Sequence, residues 1–341
     1  MEIERNPSEA RQDSWFEVAA IALGRLDEAL YEDDVWAAYV TTALVEEAVA
    51  SAERDGYSLV LRRFLRWYAD ETGPGHEPEE WEGMRLARDA ARGMTSCLRL
   101  DPLQIPTASE LFEIGDRMVI GDLDETFEPE RYAGRMDNWQ AVSREITEQE
   151  SGLARAALLV KSFHDLAPVG ATASFPLARA LVPIFLQGAL DLRRPVPWIS
   201  RHLKPGRVSV TAIGIDGPRQ RQVNGYQEVA VKGSEKFWCG FFAQAVARAA
   251  AAELFRARRA HKSIERLSAR LDRRRAGSVL IGLTPKLVSV PSFRAGDVAR
   301  WTGCKPVTAD KACRELQQLG VIEEMTGRKR YKVYWLPDLW H

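Results

Sequence analysis

AGDVARWTGCKPVTADKACRELQQLG, residues 295–320, is the stretch whose reading decides the fold. Ala295 to Thr302 has a short helical pattern that stops at Gly303, and a second apolar-periodic stretch, Val307 to Leu319, stops at Gly320. Both stops are read from glycine because it takes the left-handed backbone that ends a helix at little steric cost. In the second stretch Ala309, Ala312, Cys313, Leu316 and Leu319 recur at helical spacing, which predicts one buried face. Lys305, Thr308, Lys311 and Arg314 fall on the opposite face. Beyond Gly320, Val321–Met325 and Arg328–Trp335 read as two strands joined at Thr326-Gly327, with Arg328, Lys329 and Arg330 at the tip.

Two short helices across a tight turn, then a hairpin, is the order of a winged helix-turn-helix, here spanning Ser292 to Pro337. The second helix of such a module enters the major groove of duplex DNA, so double-stranded DNA is the expected partner. Lys305, Lys311, Arg328 and Lys329 are then expected mostly on phosphates, and Arg330 of the wing tip is expected on DNA as well. Thr308, Asp310 and Arg314 are the expected base readers, with Asp310 suited to accept from a cytosine amino group. Glu323 and Glu324 are expected to discourage indiscriminate phosphate binding. Readers of this kind usually meet two half-sites, which makes a homodimer a possible state, though the sequence itself gives no oligomeric state. The same pattern also serves in docking domains, and a protein-interaction module without DNA binding stays open as an alternative.

The chain has 341 residues and a formal net charge of −1, a balance that conceals an asymmetry. Residues 1–150 hold 34 Asp/Glu against 15 Lys/Arg, and residues 151–341 hold 14 against 32. Opposed halves suggest a polyanion-facing C-terminal part, or halves that neutralise each other internally. Cys97, Cys239, Cys304 and Cys313 form no CxxC pair, so reduced thiols are expected and neither disulfides nor zinc. The five histidines have no metal-ligand spacing, and no metal or cofactor is expected. The N-terminus is acidic where a signal peptide is basic, and the most apolar run, Ala180–Leu190, is too short to span a bilayer. A cytoplasmic protein without a membrane partner is expected.

Helical periods dominate the remainder. They cover Trp15–Leu26, Trp36–Ala52, Tyr57–Tyr68, Trp81–Arg92, Ser151–Leu166, Phe175–Leu190 and Phe237–Arg275. Pro183 is expected to kink or restart its helix. Met118-Val-Ile120 reads as a short strand, and Val208 to Ile215 suggests another, followed by turns at Gly217, Pro218 and Gly225. The expected fold class is therefore mainly α, with a small β-wing.

With those helices placed, the sequence resembles the Fic (filamentation induced by cAMP) family, and more narrowly rhizobial proteins that join a Fic-like helical domain to a C-terminal helix-turn-helix. Ile21-Ala-Leu-Gly-Arg-Leu-Asp-Glu28 resembles the family's LxRLDxxL helix. Glu47 to Gly56 resembles its inhibitory helix, with Ser51, Asp55 and Gly56 at the matching positions. Phe163 and Pro168 to Pro183 fall where the family has its active-site loop and following helix. Phe237-Trp238 and Phe241-Phe242 resemble the opening of its closing helix, and Thr326 to Tyr334 its usual wing. The resemblance implies residues 1–100 as an N-terminal helical region with an inhibitory-like segment, 101–275 as a Fic-like core and 276–341 as the winged module, with the break at Ala276-Gly277.

An active family member carries HPFxDGNGRxxR, in which histidine is the general base and the acidic residue holds a metal on the nucleotide phosphates. Here the aligned run is Pro168-Val-Gly-Ala-Thr-Ala-Ser-Phe-Pro-Leu-Ala-Arg179. Pro168 stands at the base, Thr172 at the metal position, Ala173-Ser174-Phe175 at the phosphate-cradling turn and Pro176 at the first arginine; only Arg179 remains. The resemblance therefore implies a domain without catalytic residues, serving dimerisation, docking or ligand sensing. The alternative is an adenylyl transferase with a divergent site that uses His164 as base. The family's inhibitory acid pairs with the second arginine, which implies an Asp55–Arg179 ion pair with a structural role.

Overall fold

The computed structural model describes residues 7–54, 58–69, 78–118, 129–166, 171–202, 208–214, 217–223, 233–271, 279–280 and 282–340. In chain order the helices are α1 (Pro7–Ala29), α2 (Asp33–Arg54), α3 (Leu61–Ala69), α4 (Pro78–Cys97), α5 (Ala108–Met118), α6 (Pro129–Gln149), α7 (Gly152–Leu166) and α8 (Ala171–Leu190). They continue with α9 (Glu235–Leu271), α10 (Thr284–Val288), α11 (Ala295–Thr302), α12 (Pro306–Gln318) and α13 (Pro337–Trp340). Strands β1 (Val208–Gly214) and β2 (Gly217–Val223) pair antiparallel, Val208 opposite Val223 and Gly214 opposite Gly217. Strands β3 (Phe293–Arg294), β4 (Glu323–Glu324) and β5 (Val333–Trp335) form a small sheet in the order β3-β5-β4. The protein is mainly α-helical, with that three-stranded sheet near the C-terminus. Among the described residues no helix is long and apolar enough to cross a membrane.

The chain divides into two units, each assembled from separate stretches. The first takes residues 1–27 and 89–253, the second 28–88 and 254–341. In the first unit, α7 packs against α6 and α8, and Trp139 meets Phe163 edge-on at 5.0 Å. The Trp238 indole donates to the Ala157 carbonyl at 2.6 Å, satisfying a buried N–H that would otherwise oppose folding. Asp27 accepts from the backbone N–H groups of Arg193 and Arg194 at 2.9 and 3.2 Å. The conspicuous LDE sequence of α1 therefore fastens the segment after α8.

Two glycines of this unit are dictated by close approach. A Cβ on Gly188 of α8 would sit 1.8 Å from the Pro102 carbonyl oxygen, and one on Gly93 of α4 would sit 2.0 Å from the Met118 side chain. Met118 is the last residue of α5, not the start of a strand, because its buried thioether fills the groove that Gly93 leaves. The rest of that expected strand, residues 119–120, lies outside the described residues. Helix α8 runs unbroken through Pro183, and it begins at Ala171, earlier than expected. Ala171-Thr-Ala-Ser174 contains no glycine to enforce a turn, and these residues fit a first helical turn.

In the second unit, α2 packs on α10 and α13, and α3 lies against β5. Phe64, Leu65 and Trp67 are buried. The Ser292 hydroxyl donates to the Leu65 carbonyl at 2.6 Å, the Arg62 guanidinium lies 5.7 Å from the Trp335 ring centroid, and Arg88 lies 4.9 Å from that of Trp67. Arg256 of α9 pairs with Glu46 of α2, both largely shielded from solvent. Ser263 donates to the Asp338 carbonyl at 2.8 Å and Arg270 to the Gly320 carbonyl at 3.2 Å. Upstream acidic helices and the basic C-terminal third thus share one unit, which carries 25 Lys/Arg against 22 Asp/Glu. The break expected at Ala276-Gly277 lies outside the described residues.

Candidate nucleic-acid interface

Helix α11 starts where the Asp297 carboxylate accepts from the Arg294 N–H at 2.7 Å, one of the orphan donors of a first turn. It ends at Gly303, whose φ of 67° is the left-handed value expected of the stop. Pro306 occupies the first turn of α12, where its fixed φ suits the helix and its missing N–H costs nothing. The N–H groups of Thr308 and Ala309 both bond to the Lys305 carbonyl, at 2.9 and 3.1 Å. No acidic side chain lies in that turn, so the positive end of the helix dipole is not offset locally.

Ala309, Ala312, Cys313 and Leu316 are buried, as the spacing predicts. Leu319 is only half-buried, because it caps the helix instead of continuing it. Opposite this face Lys305, Thr308, Asp310, Lys311 and Arg314 are all exposed. On the hairpin Lys329 and Arg330 are exposed and Arg328 is half-buried. The candidate residues therefore occupy the solvent side of α12 and the tip of the hairpin. Arg314 reaches back along its own helix, its Nε 3.4 Å from the Asp310 carbonyl oxygen.

The hairpin is shorter in strand than its sequence suggests. Glu323 pairs with Trp335 and Glu324 with Tyr334, and the following residues form a loop organised by one carboxylate. Glu324 accepts from the Thr326 N–H at 2.6 Å, from the Thr326 hydroxyl, and from the Gly327 N–H at 2.9 Å. Partial burial alone would raise its pKa. The hydrogen bonds from Thr326 and Gly327 and the Lys332 charge together outweigh it and hold the group below its ordinary value. Glu323 accepts from the Trp335 indole at 3.3 Å. Both glutamates expected to repel phosphates also help to build the hairpin, and accepting these hydrogen bonds leaves their negative charge in place.

Sequence reading missed two side chains here. Val307, counted with the apolar stretch, is 77% exposed. Spacing held the signal, since Val307, Lys311 and Arg314 stand at i, i+4 and i+7, the face opposite Ala309 and Ala312. Tyr331 is exposed and has φ 55°, a left-handed value uncommon outside glycine, asparagine and aspartate. All four cysteines are free thiols; burial pushes Cys97 and Cys313 up to about 12 and Cys239 to about 11.

The stretch aligned with a nucleotidyl-transfer loop has a different local structure. Thr172, Ala173, Ser174, Phe175 and Pro176 lie within α8 and do not form a turn ahead of it. Pro168 and Asp55 lie outside the described residues, and with Asp55 so does the expected ion pair to Arg179. Arg179 is buried at 2% exposure. His164, at the end of α7, is buried with its ring 6.0 Å from that of Trp238. Burial above all, then the Arg179 and Lys161 charges, lowers its pKa to about 3. An imidazole that binds a proton only in strong acid is a weak general base at neutral pH. Among the described residues no group of three His, Cys, Asp or Glu is placed to hold a metal ion.

Compared with protein-family models and with curated proteins, the chain matches none.

Proposed function

We propose that the chain is a DNA-binding regulatory protein that reads duplex DNA with α12 and touches the backbone with its hairpin. The observation that carries this reading is the division of α12. One face is spent on the core through Ala309, Ala312, Cys313 and Leu316, and the other offers Lys305, Thr308, Asp310, Lys311 and Arg314 to solvent. Such a helix behind a helical turn, beside a basic hairpin tip, has the groove-reading geometry of a winged helix-turn-helix. Lys305, Lys311, Lys329 and Arg330 supply charge for phosphates, and Thr308, Asp310 and Arg314 supply groups for base edges. The protein acts in the cytoplasm as a homodimer on two half-sites, with no cofactor. Its Fic-like helical part serves dimerisation, docking or sensing without catalysis.

A mobility-shift titration with random-sequence duplex, at several salt concentrations, tests the reading. Contact with about four to six phosphates gives a log–log slope of roughly −4 to −5. The Lys311→Ala variant lowers the magnitude of that slope by about one. Absence of binding to any duplex at low ionic strength would refute the reading.

A further inference from the structure

We infer that Val307 reads the C5 methyl group of a pyrimidine, in thymine or 5-methylcytosine, within the major groove; this rests on the DNA-binding reading above. Val307 is 77% exposed, the largest value among the exposed large hydrophobic side chains of the described residues. It contributes nothing to the core of its unit, and valine is a mediocre helix former. Core packing therefore does not account for the aliphatic side chain at this position. Its surroundings supply one. Val307 stands in the first turn of α12, directly after Pro306, and shares its face with Lys311 and Arg314. Lys305 and Thr308, both exposed, flank it.

A lone apolar group inside a cationic face fits a partner that is anionic around its edges and apolar at one point. The major groove of DNA has that character: phosphates line its margins, and its apolar feature is the pyrimidine C5 methyl. Residues at the N-terminal end of a reading helix are those that contact base edges. Valine is also stiff about χ1, so little rotamer freedom is lost when it packs on a methyl group.

The test uses the full chain and a duplex selected by it from a random library. Each thymine is replaced singly by deoxyuridine, and each cytosine singly by 5-methylcytosine. Burial of one methyl corresponds to about a fourfold change in Kd. One position in each bound half-site is expected to weaken by about that factor with deoxyuridine, which identifies thymine. If 5-methylcytosine instead strengthens binding at one position, the methylated base is the ligand. In either case Val307→Ala abolishes the methyl sensitivity and leaves the salt slope unchanged, whereas Lys311→Ala reduces the slope and keeps the sensitivity. A selected duplex indifferent to every methyl, or sensitivity that survives Val307→Ala, overturns this inference alone. Failure to bind any duplex overturns it together with the function it rests on.

Discussion

His164 sits at the end of α7 with neighbours that oppose its protonation. Its pKa in the folded chain, about 3, lies below the ordinary 6.5 because burial and then the Arg179 and Lys161 charges disfavour the imidazolium. The unfolded chain therefore binds a proton that the folded chain refuses. The contribution to stability is complete above about pH 6.5 and is lost as pH falls toward 3, with a slope of about 1.4 kcal/mol per pH unit. Urea unfolding from pH 7 to pH 4 should show a steeper acid loss for the wild type than for His164→Gln. Parallel curves would show that this imidazole does not resist its proton.

The helical elements were the most legible part of the chain, and α11 and α12 the most legible of all. Gly303 and Gly320 punctuate them, and four buried side chains in α12 recur with a single period. The left-handed φ of Gly303 makes the stop a backbone requirement, and open space surrounds the site of a Cβ there. Gly303→Ala should therefore cost about 1 kcal/mol through conformation alone, and Gly303→Asn less, both measured by urea denaturation. A cost near zero for alanine would mean that the turn relaxes. Less of the hairpin and of α8 was readable. Glu323 and Glu324 read in sequence only as charges set against phosphate, and nothing there shows that they also accept hydrogen bonds from Trp335, Thr326 and Gly327. The first turn of α8 is hidden because Ala171 to Ser174 suit a loop and a helix start alike. Exposed Val307 was masked by its own hydrophobicity.

At the scale of the molecule, the linear charge asymmetry largely disappears within the units. The second unit gathers acidic α2 and part of α4 with the basic C-terminal third, and the Glu46–Arg256 pair is one point of that neutralisation. If the chain binds DNA as proposed, its affinity would then rest less on long-range attraction than on the local cations of α12 and the hairpin tip. The sequence could not reveal this grouping, because nothing in residues 28–88 announces that they fold with residues 254–341. It has a direct consequence for dissection of the chain. Residues 276–341 expressed alone would lack α3 against β5 and the Ser292 bond to Leu65, and should give the circular dichroism and one-dimensional NMR spectrum of a largely unfolded peptide. A well-dispersed spectrum from that fragment would show instead that it is self-sufficient. Ser292 and Leu65 are 227 residues apart in sequence. During synthesis the aromatic side of α3 would therefore wait for its Ser292 partner while 227 further residues are translated, and a ribosome that stops between them would release a sticky, incomplete product for chaperones and proteases to handle.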